Sequence, residues 1–105
     1  MVNEILKASG IPYRRTRFLK PPSGNYAVFT DDVDTDGPDG IAAIYHHNIT
    51  VELYTRTPDV QAEMAIENAI VSHDLQFEKQ AAYWIPAEQL YQVIYEFEYK
   101  VKRRI

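Results

Sequence analysis

The 105-residue chain contains no cysteine, and that absence excludes disulfide bonds, thiolate metal sites and thiol nucleophiles. It has only four glycines, and none belongs to a phosphate-binding loop or a dinucleotide-binding fingerprint. No apolar run approaches the length that crosses a bilayer, and the first residues lack the basic and apolar stretches of a signal peptide. We therefore expect no cofactor and no membrane partner.

The composition is that of a folded protein, with 46% apolar and 25% charged residues, and the length suits a single domain over 1–105. The net charge of −4 conceals an uneven distribution. Residues 1–30 and 99–105 are net basic, whereas residues 31–98 are strongly acidic. Such blocks can steer the assembly of identical subunits, and solvated surface charge is the alternative.

Hydrophobic periodicity and turn residues divide the chain into helices, strands and loops. The expected elements are a helix over 2–9, an extended segment over 12–18, a strand over 25–31, an acidic loop over 31–40, a strand over 41–56, a helix from a Thr57 cap and Pro58 to 73, a strand over 75–84, a turn over 85–88 and a strand over 89–103. The expected fold class is α/β (α+β), with a mostly antiparallel sheet of about four to five strands, two helices packed on it and the order α-β-β-β-α-β-β. Strands of this length extend past a small core as arms, which indicates an oligomer.

The acidic loop has an incomplete calcium motif. Its sequence from Asp32 through Asp34 and Asp36 to Gly37 matches the first half of an EF-hand loop, but Ala43 stands where a bidentate glutamate is needed. These aspartates are therefore weak metal candidates. His46 and His47 are adjacent on a predicted strand and point to opposite faces, so they do not share one ion. We expect no metal site.

Catalytic patterns are equally scarce. The serines are Ser9, Ser23 and Ser72, and none lies in a nucleophile elbow. The glutamates fall on predicted exposed faces. Nothing there would give two neighbouring carboxylates the different pKa values that an acid–base pair needs. The sequence therefore predicts a protein that is not an enzyme.

Two other features suggest contact surfaces. The run from Arg14 through Arg15 to Arg17 is suited to a nucleic-acid backbone or to an acidic subunit face. Because the whole chain is acidic, with a pI of about 5.3, we expect at most non-specific proximity to DNA. Tyrosines recur every four residues along the last strand, and tyrosine is enriched in protein interfaces.

Three stretches resemble small proteins encoded in the tail-assembly modules of prophages. They are the NITVELYTRTPD segment over 48–59, the GIPY segment over 10–13, and the segments FEK, YWI and EQLYQVIYE between 77 and 96. The resemblance covers most of the chain. The chain is similar to a tail-completion protein, the tail terminator of long-tailed phages.

This resemblance implies a structural protein of the virion, located at the head-proximal end of the tail and assembled in the host bacterial cytoplasm. Family members form a homo-oligomer, a ring of six subunits in the virion that can remain monomeric in solution. The ring caps the tube of the major tail tube protein, stops its polymerisation and presents the surface for the head–tail connector proteins. The alternatives are a neck or head-closure protein and, in another class, a prophage calcium-binding or regulatory module that uses the Asp-rich loop.

The contacts expected for such a ring follow from the charge blocks and the tyrosines. Subunit or tube contacts are expected from Arg14, Arg15, Arg17, Tyr95, Tyr99, Lys102, Arg103 and Arg104. The loop over 31–40, with Asp31, Asp32, Asp34, Asp36 and Asp39, is expected to face the lumen or the tube, where its charge would repel DNA.

Overall fold

The computed structural model describes residues 1–36 and 42–104, apart from the side chains of residues 36, 42, 43, 103 and 104. The elements are α1 (Val2–Ser9), β1 (Tyr13–Arg15), β2 (Tyr26–Asp36), β3 (Ala42–Thr55), α2 (Val60–Val71), β4 (Glu78–Lys79), β5 (Tyr83–Ile85) and β6 (Leu90–Arg104). The predicted α+β class and the order of helices and strands are confirmed. Neither helix in this part of the chain has the length and apolarity needed to cross a membrane.

The sheet has six strands and is mostly antiparallel. Its order is β1-β2-β3-β6-β4, and β5 also pairs with β6. The long strands β2, β3 and β6 form the centre, where Phe29 lies opposite Val51 and Val51 opposite Tyr95. Among the strands of the described residues, only β1 and β2 form a parallel pair. The predicted hairpin of the last two strands is present, because β5 and β6 pair antiparallel from Ile85 and Leu90 outward.

Both helices cover the same face of this sheet. The apolar positions of α1, including the fully buried Ile5 and Leu6, pack with Ile66 and Ile70 of α2 against the central strands. Burial of each such side chain contributes about 1.5–3 kcal/mol. Helix α1 ends at Gly10, whose φ of 75° is left-handed and whose N–H donates to the carbonyl of Lys7.

The start of α2 differs from the prediction by two residues. The expected cap, Thr57, and the expected first helical residue, Pro58, both precede the helix. Asp59 is the cap instead, because its extended backbone lets its carboxylate accept a hydrogen bond from the N–H of Ala62 at 3.0 Å. This bond and a second one from Asn25 lower the pKa of Asp59. The helix ends at Val71 rather than at residue 73.

The prediction of a loop from residue 31 is wrong for residues 31–36. They continue β2 and pair with β3, from Asp31 opposite Ile49 to Asp36 opposite Ile44. Pairing with a long neighbouring strand overrides the low strand propensity of aspartate, since each aspartate only needs solvent or a polar partner on its side of the sheet. The rest of the predicted loop, including Asp39, lies outside the described residues.

The predicted strand over 75–84 is reduced to two short pairings with β6. Glu78 and Lys79 pair with Glu96 and Tyr95, and the residues of β5 pair again from Tyr83. The intervening residues 80–82 are exposed, and their small or polar side chains offer no apolar anchor against the sheet.

The ends of the three central strands extend beyond the helices, as predicted. We call this extension the arm and define it as residues 31–36, 42–48 and 98–104. Burial on the helix-covered face ends at the row of Tyr99, His47 and Val33, where Tyr99 is 9% exposed and Val33, on the edge strand β2, is 43% exposed. The molecule is accordingly elongated, measuring 49 × 27 × 21 Å.

Candidate functional site

The arm has two open sheet edges. Strand β1 pairs with β2 only from Ala27 to Phe29, and the short strands β4 and β5 pair with β6 only as far as Glu96. Within residues 1–36 and 42–104, β2 beyond Phe29 and β6 beyond Glu96 therefore have a strand neighbour on one side only. Open edges of this kind are templates for pairing with another chain.

The hydrogen bonds at the base of the arm show which backbone groups face these edges. The Ala27 N–H donates to the Pro12 carbonyl at 2.9 Å, and the Phe29 carbonyl accepts from Thr16 at 2.7 Å. Because backbone groups alternate in direction along a strand, the odd-numbered residues of β2 face its open edge. On β6 the Ile94 carbonyl accepts from Gln80 at 2.9 Å, so the even-numbered residues face the other edge.

Beyond Glu98, which is itself exposed on β6, the two edges carry opposite charge toward the tip of the arm. On β2, Asp32 and Asp34 are exposed on the face away from the helices, and the sequence adds Asp36. On β6, Lys100 and Lys102 are exposed on that same face. The sequence continues β6 with Arg103 and Arg104, whose side chains lie outside the described set. The acidic middle and the basic end of the sequence therefore lie in the same arm, one on its β2 edge and the other on its β6 edge.

Asp31 differs from the other aspartates because it points toward the helix-covered face. Its carboxylate lies 2.9 Å from Nδ1 of His47, and the imidazole stacks on the ring of Tyr99 at 4.7 Å with an interplanar angle of 8°. Burial and the Asp31 carboxylate raise the pKa of the Tyr99 hydroxyl. This cluster closes the core at the base of the arm. No local pattern predicts it, because its members are far apart in the chain.

The predicted metal candidates are not gathered into a binding site. Asp32 and Asp34 lie two residues apart on a strand, about 6.6 Å, and not on the tight turn that an EF-hand loop requires. Among the residues that the structure describes, no group of three or more histidine, aspartate and glutamate side chains is placed to hold a metal ion.

Two of the predicted contact tyrosines pack inside the subunit. Tyr95 is fully buried, and its hydroxyl donates to Oε2 of Glu67 in α2 at 2.8 Å. Tyr99 is nearly buried in the cluster described above. In the structure of the single chain, these two side chains are therefore not part of the exposed surface.

Lys79 completes the group around Tyr95. Its Nζ contacts Oε1 of Glu63 at 2.7 Å and Oε2 of Glu67 at 2.8 Å. Burial works to raise the pKa of Glu67, but the hydrogen bonds from Lys79 and Tyr95 outweigh it and lower that pKa. The two glutamates in turn raise the pKa of Lys79. This network joins α2, β4 and β6.

The basic residues in and just after β1 are exposed near the base of the arm, where Arg15 lies beside Phe29. Arg14, Arg15 and Arg17 all lie at the surface. The Arg14 guanidinium stands 5.1 Å from the centre of the Phe18 ring, and Phe18 packs edge-on against Tyr26. The 16–24 segment thus covers part of the open sheet face, while the arginines remain available to a partner.

Exposed apolar side chains mark a further surface on α2. Val60, Met64 and Val71 are 67%, 51% and 56% exposed and lie on the side of the helix that faces away from the sheet. Tyr83 and Trp84 of β5 add exposed aromatic area. Apolar groups left at the surface of so small a chain are consistent with protein contacts.

Comparison with known proteins identifies a shared fold. No protein-family model matches the chain, and no curated protein sequence does. The structure is similar to a chain from the virion of a native gene transfer agent (GTA) particle, with a TM-score of 0.66 and 17% sequence identity. The match covers 94% of this chain and 84% of that chain. At this identity the similarity shows that the two chains share a fold.

Proposed function

We propose that this chain is a non-enzymatic virion assembly protein, the terminator of a long phage-type tail. The observation that carries the proposal is the fold shared with a virion chain over 94% of the sequence. The tail-completion motifs in the segments over 10–13, 48–59 and 77–96 support it independently, because they come from the residues and not from the fold. In this proposal, residues 1–105 form one terminator domain.

The arm supports a role in assembly. The arm has two open edges, an exposed Val33 and a partly buried Val101. Open edges and exposed apolar groups promote unwanted association, and a bound partner would cover them. The exposed apolar residues of α2 offer a second surface for a partner. A protein that joins copies of itself to a tube and to a head connector requires several such surfaces.

The proposed assembly is a ring of six copies at the head-proximal end of the tail tube. A ring needs head-to-tail contacts, in which two different surfaces of each subunit meet. The exposed Arg14, Arg15 and Arg17 on one side, and the basic end of β6 on the other, are suited to acidic surfaces of neighbouring subunits or of the tube protein.

The acidic side chains of β2 are proposed to face the lumen. Asp32 and Asp34 are exposed on the sheet face that the helices leave open, so they can border a channel without being buried. Negative charge there would keep DNA from adhering during passage. Asp31 has no part in this, because it is turned to the other face and bonded to His47.

Deletion of the gene in its parent phage or prophage, followed by induction and electron microscopy, tests the proposal. Overlong tails of variable length without heads are expected, because an uncapped tube continues to polymerise. Tails of normal length beside filled or leaking heads would instead indicate a neck or head-closure protein. Intact particles would refute a role in the virion, and complementation with the wild-type gene is the control.

A further inference from the structure

We propose that copies of this chain join by parallel pairing of the open β6 edge of one arm with the open β2 edge of the next, so that the arms form one closed sheet around the lumen. The inference rests on the ring proposed above and specifies how its subunits are held together. The occupant of each open edge is a second copy of the same chain.

The strand directions permit this pairing. Strands β2 and β6 both run antiparallel to β3, so they are parallel to each other within one arm. Rotation about a ring axis preserves the direction of every strand relative to that axis. The β6 edge of one copy therefore meets the β2 edge of its neighbour in parallel.

The pleats of the two edges also match. In a parallel pair, a residue that directs its N–H and C=O toward the partner lies beside a residue that directs them away. Odd-numbered residues such as Val33 face outward on β2, and even-numbered residues such as Lys100 face outward on β6. Val33 would thus lie beside an odd-numbered β6 residue such as Val101, and both side chains are on the helix-covered side. The sheet continues from copy to copy without turning a side chain to the wrong face.

The charges select this pairing over its alternatives. Two β2 edges together would place aspartates against aspartates, and two β6 edges centred on Lys100 would place that lysine against its own copy, both of which are unfavourable. Pairing β6 with β2 places Lys102 beside Asp34 and Lys100 beside Asp32 in one register. The neighbouring register places Lys100 beside Asp34 but Glu98 beside Asp32, so the first register is favoured. The edges are therefore suited to a heterologous contact, the kind of contact that a ring requires. The same pairing neutralises the lysines, which would otherwise attract DNA.

The dimensions suit a channel. Six arms of three strands each, at a strand spacing of about 4.8 Å and a tilt of about 40°, close at a backbone diameter of about 36 Å. Because α1 and α2 occupy one face of the sheet, that face must lie outside, and the face with Asp32, Asp34 and Lys100 lines the channel.

Engineered disulfides test the contact, and the absence of native cysteine makes the readout specific. The variants are D34C/K100C and D34C/K102C, which cover the two nearest registers, incorporated into particles and mildly oxidised. One of them is expected to form a ladder of covalent multimers on a non-reducing gel. Within a chain the paired positions are two strand spacings apart, about 9.6 Å, which is too far for a disulfide.

The matched control is T35C/K100C, whose cysteines lie on opposite faces of the sheet and should give no ladder. Absence of a ladder from both test pairs, in particles that contain the protein, would overturn the inference. So would dimers from the single variant D34C, since these would mean that two β2 edges meet. If the cysteine variants do not assemble, carbodiimide coupling of wild-type particles decides the question. Multimers joined through Asp34 and a β6 lysine support the pairing, and multimers joined only elsewhere refute it.

The outcome is separable from that of the proposed function. Overlong tails after gene deletion without any cross-link at these positions would leave the terminator role standing and remove the edge pairing. A ladder in particles whose tail length does not depend on the gene would retain the edge pairing and remove the terminator role.

Discussion

The hydroxyl of Tyr95 is expected to stabilise the fold measurably, although its ring contributes most of the burial. The change is Tyr95→Phe, which keeps the ring between α2 and Phe77 and removes the bond of 2.8 Å to Glu67. A hydrogen bond to a charged group is worth about 1.5–3 kcal/mol. Because Lys79 still pairs with Glu67, no charge is left isolated. We therefore expect a loss at the low end, about 1.5 kcal/mol.

Urea denaturation of the purified protein measures this loss. For a chain of this size, with a urea dependence of about 1.5 kcal/mol per molar, the midpoint should fall by about 1 M. The control is Tyr83→Phe, since Tyr83 is 64% exposed and its change should stay within about 0.5 kcal/mol. If Tyr95→Phe unfolds at the same urea concentration as Tyr83→Phe, then the network around Glu67 does not stabilise the chain.

Three further predictions concern the core, acid stability and a helix end. Ile66→Ala should lower the free energy of unfolding by about 2–5 kcal/mol, because Ile66 is fully buried, whereas Met64→Ala on the exposed side of α2 should change it little. The fold lowers the pKa of Glu67 from 4.5, so its charge stabilises the fold above that pH, and this contribution is lost as the pH falls through the folded-state pKa. Glu67→Gln should therefore make the free energy of unfolding depend less on pH in the acid range, and an unchanged dependence would contradict the assignment. Gly10→Ala should cost about 1 kcal/mol in thermal or urea unfolding because of the left-handed backbone, and Gly24→Ala, where no left-handed backbone is required, should cost less.

The elements that sequence reasoning located well are those with a strong local pattern. Hydrophobic periodicity predicted a helix over 2–9 and a strand over 89–103, and the structure has α1 and β6 within one residue of these bounds. The extension of the strands beyond the core followed from their length alone. These features depend on residues close together in the chain.

The errors arose where distant residues decide the structure. Residues 31–36 are strand because β3 lies beside them, and the aspartates alone predicted a loop. Likewise, the contact of Asp31 with His47 and the burial of Tyr99 depend on the register of β2, β3 and β6. The charge blocks were visible in the sequence, but their placement on opposite borders of one arm required the strand order.

Location in the particle tests the central proposal most directly. Antibodies raised against the purified protein, coupled to gold and applied to detergent-treated particles, report where the chain lies. We expect label at the head-proximal end of the tail, at one position per particle, and on the corresponding end of tails detached from heads. Label along the whole tube, label confined to the capsid, or its absence from particles would contradict the proposal.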